Sequence, residues 1–227
     1  MYKKLMLGFA AAFGIAFISS CNKDEVTPQP DTAKLMVVHT SPDAPGVDLL
    51  IDNTKMNTSA LTFPNNTTYI PLLTGTRNIK VNVTGTSTTV INANANFVKN
   101  TSQTLFAIDS VSKLSTLLLS DDLTAPAAGK AHVRFVHLSP DAPAVDVALA
   151  NAGAVVFPNT AFKGATAFTP LDAGTYNLEV RVAGTQTVAL PLPGIVLQAG
   201  KIYTVFAKGF LGGTGTQALG AQIIVNN

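Results

Sequence analysis

The sequence predicts an all-β protein made of two tandem antiparallel β-sandwiches, and three observations carry that prediction. Val38 to Asp48 reads V-H-T-S-P-D-A-P-G-V-D and Val136 to Asp146 reads V-H-L-S-P-D-A-P-A-V-D, so nine of eleven positions agree at an offset of 98 residues. That spacing is about the length of one small core, which makes the chain a duplication of a single domain. Tyr176, Leu178, Val180 and Val182 alternate with Asn177, Glu179, Arg181 and Ala183, the period of a strand with one buried face. Charged residues make up only 12% of the chain, while Thr, Asn and Gly abound, a composition that favours strands and turns over helices.

The chain opens on an address. Lys3 and Lys4 precede an apolar run of fourteen residues, Leu5 to Ile18. A membrane-spanning helix needs about 20 residues, so Met1 to Ser20 reads as a signal peptide. Ile18-Ser19-Ser20-Cys21 resembles the lipobox of bacterial lipoproteins and contains the only cysteine. The resemblance implies cleavage before Cys21 and a diacylglyceryl group on its sulfur, making the membrane a partner through the lipid anchor. Each buried methylene contributes about 0.8 kcal/mol to such anchoring. The alternative is a secretory signal followed by a free thiol, a liability in an oxidising compartment. Lys23-Asp24-Glu25 is similar to the surface-export signal of Bacteroidota lipoproteins, which implies display on the outer face of the outer membrane. An ordinary charged tether in a protein facing the periplasm is the competing reading. Residues 21–32 form the tether, with Pro28 and Pro30 keeping it extended.

Residues 33–123 form the first repeat, 124–130 a linker with breaker residues, and 131–227 the second repeat. Landmarks stay in register: Phe63-Pro64-Asn65 with Phe157-Pro158-Asn159, and Thr104-Leu105-Phe106-Ala107 with Thr204-Val205-Phe206-Ala207. Strands are expected at Lys34 to Thr40, Val47 to Asp52, Ile79 to Thr84, Thr88 to Ala93, Gln103 to Asp109 and Leu114 to Ser120. Their counterparts are Ala131 to Leu138, Val145 to Ala150, Tyr176 to Ala183, Gln186 to Leu192, Lys201 to Lys208 and Ala218 to Val225. About seven short strands per repeat, punctuated by Gly, Pro and Asn, suit an antiparallel sandwich. Leu171 to Tyr176 resembles the turn-into-strand of immunoglobulin-like and transthyretin-like modules, which implies that Tyr176 packs or bonds back onto the turn. Arg77 takes that place in the first repeat, so the corner is expected to be lost there.

The repeated signature groups His39, Ser41, Asp43 and Asp48, and again His137, Ser139, Asp141 and Asp146. One imidazole and two carboxylates within ten residues invite a metal reading. A transition metal wants three or four ligands and calcium about six or more oxygens, and no further His or Cys repeats alongside. A turn-locking network is more economical. Each His ends an apolar strand face, Leu35-Val37-His39 or Val133-Phe135-His137, where its ring can pack and bond to a turn. Ser41 and Asp43 suit an Asx- or Ser-stabilised turn, and Asp48 or Asp146 can accept backbone N–H groups in the same loop. No nucleophile elbow surrounds Ser41. The sequence thus offers no catalytic residue, no metal site and no cofactor. Gly209 to Gly215 lacks the Lys-Ser/Thr of a phosphate loop and reads as a mobile hairpin tip, with Phe210 and Leu211 as candidate partner contacts. Asp31-Thr32-Ala33 and Asp109-Ser110-Val111 resemble a three-residue O-glycosylation motif of Bacteroidota.

The doubled V-H-x-S-P-D-A-P-x-V-D resembles the hallmark of a bacterial domain of unknown function, number 4397, whose members are often secreted or lipid-anchored. The resemblance implies a β-sandwich outside the cytoplasm and supplies no activity. Removing the leader takes Lys3 and Lys4 with it and leaves 13 basic against 13 acidic side chains. That balance gives nucleic acid nothing to bind. The expectation is a lipid-anchored, surface-exposed outer-membrane protein, non-enzymatic, that binds a protein or glycan partner or serves as a structural module. The alternative is a periplasm-facing accessory of an envelope or polysaccharide-handling complex.

Overall fold

Each repeat folds into eight strands arranged as two four-stranded sheets. A computed structural model describes residues 30–151 and 153–227; the leader, Cys21 and Lys23-Asp24-Glu25 lie outside the described residues. The first repeat runs β1 (Thr32–His39), β2 (Val47–Ile51), β3 (Thr54–Lys55), β4 (Ile70–Leu73), β5 (Gly75–Val83), β6 (Thr89–Phe97), β7 (Ser102–Ile108) and β8 (Ser115–Asp121). The second runs β9 (Lys130–His137), β10 (Val145–Leu149), β11 (Val155–Thr160), β12 (Thr169–Asp172), β13 (Gly174–Val182), β14 (Val188–Leu197), β15 (Ile202–Lys208) and β16 (Gly220–Val225). The sheet orders are β4-β1-β7-β8 with β3-β2-β5-β6, and β12-β9-β15-β16 with β11-β10-β13-β14. The protein is therefore all-β, two sandwiches of identical strand order.

Two details depart from the sequence expectation. Short strands β4, β11 and β12 carry Pro71, Pro158 and Pro170, and proline in a run reads as loop. All three lie at sheet edges, where the missing N–H leaves no ladder bond unmade. The other detail is direction. β1 pairs parallel with β7, and β9 with β15, while every other ladder is antiparallel. A parallel partner needs a long crossover, here supplied by the whole intervening sheet.

The packing has three cores rather than two. Leu35, Val37, Leu49, Ile79, Val81 and Leu105 fill the space between the sheets of the first repeat. Phe135, Val145, Val147, Val180 and Val205 do the same in the second. The third core lies between the repeats, where Met36, Val38, Phe106 and Ile108 meet Val136, Leu138, Phe206 and Ile224. The equivalent phenylalanines Phe106 and Phe206 touch edge to face, ring centroids 6.0 Å apart, as an isologous contact between two copies of one surface would require. The central strands are thus buried on both faces, which explains why β1 and β7 read as nearly continuous apolar runs rather than as alternation.

One polar network crosses this interface. Arg134 Nη2 lies 2.6 Å from Asp121 Oδ1, with the two side chains 3% and 0% exposed. Thr104 and Tyr69 donate their hydroxyls to Asp121 Oδ2 at 2.7 and 2.6 Å. Arg134 also donates to Thr204 Oγ1 and to the Ser120 carbonyl, and its guanidinium covers the Phe168 ring at 4.6 Å. Asn226 closes the circuit by accepting from Thr204 and donating to Tyr69. Burial and the neighbouring Asp121 push the Tyr69 phenol well above its ordinary range, so it remains a donor. A buried ion pair is tolerated only when the remaining polar atoms also find partners, and here they do.

Asp121→Ala leaves Arg134 buried without its counter-charge and should cost about 3–5 kcal/mol in urea unfolding. The double variant Asp121→Asn with Arg134→Met, which borrows the residues of the opposite repeat (Asn226 and Met36), should be much closer to the wild type.

Candidate functional site

The signature begins with the last two residues of the first strand in each repeat and crosses one end of the sandwich. His39 and His137 are buried, and each Nε2 bonds to a carbonyl within its own loop, Pro45 or Pro143, at 3.0 Å. A carbonyl can only accept, so Nε2 carries the proton in both rings. Each ring also stands edge-on to a phenylalanine, Phe63 or Phe162, with centroids 6.5 Å apart. Burial lowers the pKa of both imidazoles below their usual 6.5, with the proline carbonyl opposing the shift. The neutral ring holds the loop against the strand it leaves.

The aspartates reach further than a local turn. Asp43 Oδ1 accepts the Val111 N–H at 2.8 Å, and Asp141 Oδ1 the Leu211 N–H at the same distance. Each carboxylate therefore ties the signature to the connection after the seventh strand, 68 and 70 residues away, where the sequence suggested a self-contained Asx turn. Asp48 and Asp146 likewise leave their own loop. Asp48 meets Lys55 Nζ at 2.9 Å and accepts from Gly85 N–H and Thr84 hydroxyl. The Lys55 ammonium first, and the Gly85 N–H with it, hold its carboxyl below the ordinary carboxylate range against burial. Asp146 accepts from Asn159 N–H at 2.6 Å and Gly184 N–H at 2.9 Å. Gly85 and Gly184 sit at φ +73° and +74°, a left-handed conformation natural to glycine at the third position of a tight turn. That conformation aims the N–H at the carboxylate.

Ser41 and Ser139 are fully buried. Ser139 Oγ approaches Asp141 Oδ1 only at 3.5 Å, and neither histidine Nε2 turns to its serine. Among the described residues no group of three or more His, Cys, Asp or Glu side chains is placed to share a metal ion. The Gly209 to Gly215 segment is not a free tip. Phe210 donates to Gln217, Gly213 to Phe210 and Gln217 to Thr214, and a 3₁₀ turn spans Gly215–Gln217. Phe210 is half-buried and Leu211 is 52% exposed.

Two features escaped the sequence reading. A small apolar cavity of about 70 Å³ lies beneath the second signature, lined among others by His137, Pro143, Val145, Val180, Leu190 and Leu211. The only hint in the sequence was Leu211, an apolar side chain in a glycine-rich loop. The other is the corner of the first repeat. Tyr176 OH donates to the Asp172 carbonyl at 2.9 Å. Arg77, far from losing the corner, donates to the Leu73 and Thr74 carbonyls at 2.9 and 2.7 Å. A guanidinium with five donors satisfies the turn that a phenol satisfies in the other copy.

The family described as Domain of unknown function (DUF4397) matches residues 33–148, and the chain belongs to it. The match covers the first sandwich and continues through the second signature into β10. No curated protein matches the chain.

Two measurements follow from this geometry. Folding favours neutral imidazoles, so the unfolded chain takes up protons as pH falls through about 6.5 while the folded chain does not. The stability they contribute is present above that pH and is lost progressively below it. Melting temperature should therefore drop between pH 7 and 5, and the His39→Gln, His137→Gln variant, which keeps a donor for each proline carbonyl but cannot titrate, should show a flatter profile. Asp43→Ala with Asp141→Ala should lower stability by about 1 kcal/mol per lost bond, read by urea unfolding, with the secondary structure retained.

Proposed function

We propose that this chain is a lipid-anchored outer-membrane protein displayed on the cell surface, and that its two sandwiches, each a copy of the family domain, form a non-enzymatic binding or structural module. The observation that carries the non-enzymatic reading is how the signature spends its chemistry. The imidazole N–H groups go to proline carbonyls and the carboxylates to backbone N–H groups of neighbouring loops. Groups committed to holding a loop end in shape are poorly placed to move protons on a substrate. What the rigid end presents to a protein or glycan partner is loop surface, with Leu211 and half-buried Phe210 as its apolar contacts.

The anchored reading rests on Ile18-Ser19-Ser20-Cys21, and the outward one on Lys23-Asp24-Glu25 in the Bacteroidota manner. Protease shaving of intact cells tests both. The native chain should be cleaved, and a Lys23→Ala, Asp24→Ala, Glu25→Ala variant should be protected. Protection of both, with cleavage after lysis and the chain still in the outer-membrane fraction, would reject surface display and favour the periplasm-facing accessory.

A further inference from the structure

We infer that β6 is a self-association edge, through which the first sandwich adds a second copy of this chain strand to strand. An unpaired edge strand exposes a row of N–H and C=O groups that template another strand, and proteins block such edges with proline, charge or a bulge. The two copies of this edge share one register shift near the start of the strand and differ in everything else that guards it. In the second repeat, β14 carries Pro191 and Pro193, and its pairing with β13 is interrupted by a register shift beside Gly194, at φ +69°. In the first repeat, β6 has nine residues, T-V-I-N-A-N-A-N-F, with no proline and no charge; its one register shift against β5 falls at its start, between Thr89 and Ile91, and Ile91 to Phe97 pair without interruption. It ends the sheet order β3-β2-β5-β6 and is the longest edge strand free of both devices among the described residues.

The outer face prepares that edge for a copy of itself. Asn92, Asn94 and Asn96 are exposed, while Ile91 and Phe97 are buried and Ala93 and Ala95 half-buried. Asn78 of β5 donates one amide to both Asn92 Oδ1 and Asn94 Oδ1, at 2.8 and 2.9 Å. The ladder thus runs outward and stops at the edge, where the Asn92, Asn94 and Asn96 amide nitrogens donate to nothing among the described residues. Both cations of the neighbouring strand have partners elsewhere, Lys80 on Asn53 and Arg77 on Asp52 and the Leu73 and Thr74 carbonyls.

An antiparallel pair centred on Asn94 is self-complementary on both faces. Asn94 opposes Asn94 and Asn92 opposes Asn96, so the amide ladder continues across the seam. On the core side Ala93 opposes Ala95 and Ile91 opposes Phe97. A charged partner strand would find no counter-charge here, whereas a second copy finds amide against amide and apolar against apolar. The result is an eight-stranded sheet with closed two-fold symmetry. This inference is independent of the anchored, surface-displayed reading.

The test is an oxidative cross-link in cells producing the full chain, read as covalent dimer on a denaturing gel of the whole lysate. The gel reports dimer whether or not the chain is anchored. Directly opposed residues of an antiparallel pair have Cα atoms about 4.5–5.5 Å apart, within disulfide reach. Thr76 lies one strand further in, on β5, opposite Asn96, so its copies would stand about 20 Å apart, three strand spacings across and four residues along. Asn94→Cys should give at least about tenfold more dimer than Thr76→Cys or the wild type, which carries only Cys21. Adding Asn92→Lys to Asn94→Cys places a charge on each side of the seam and should return the dimer to the Thr76→Cys level. Equal cross-linking from Asn94→Cys and Thr76→Cys, or a cross-link undiminished by Asn92→Lys, would overturn the inference.

Discussion

The face-to-face packing of the two central sheets is the constraint on which the rest of the molecule depends. Because the β1 and β9 sheets lie between their own outer sheet and the other repeat, their central strands have no solvent face to spare. Side chains there are favoured when apolar or hydrogen-bonded. Met36, Val38, Phe106 and Phe206 meet the first condition, and the Arg134–Asp121 network meets the second. Neither sandwich can be understood alone, since the surface one repeat would show to water is the core the other completes. The eight residues 122–129 between β8 and β9 are enough, because the interface rather than the connection sets the pairing.

The signature loops serve that arrangement from one end. Each leaves the end of a doubly buried strand; its histidine ties the loop to itself, and its aspartates bind it to the connection after the seventh strand and to the β5–β6 or β13–β14 turn. The contacts span the two sheets of a sandwich, so the loop fixes where the sheets sit relative to one another. Backbone N–H groups that would otherwise be orphaned at the end of the sandwich find acceptors in carboxylates. Repetition of S-P-D-A-P in both copies then follows from repetition of the same mechanical problem.

Where the copies differ, they differ in ways that change surfaces rather than the scaffold. Met36 against Arg134 and Asp121 against Asn226 turn a two-fold interface into a directional one. Arg77 against Tyr176 changes the side chain of a corner and keeps its bonds. Asn92 and Asn94, against a strand holding Pro191 and Pro193, leave one sheet edge open and the other closed. A duplicated domain can keep one copy for packing and free the other for contact, because the duplicate preserves the core while either edge drifts.

The sequence by itself determined the features that are local in the chain: the recurrence of one eleven-residue segment, the all-β class, most strands and the residue types of that segment. Period-two alternation and turn residues are written in neighbouring positions, so Leu35, Val37 and His39 could be placed on one face before any packing was known. The short proline-bearing edge strands β4, β11 and β12 escaped because their pairing depends on which neighbour they lie beside. Only the tertiary structure decided what the signature aspartates bind, since their partners lie tens of residues away in the chain. It alone revealed that Met36, Val38 and Phe106 face the other repeat, and that Arg77 could replace a tyrosine. Those outcomes depend on distances between segments remote in sequence, and periodicity within one segment carries no information about them.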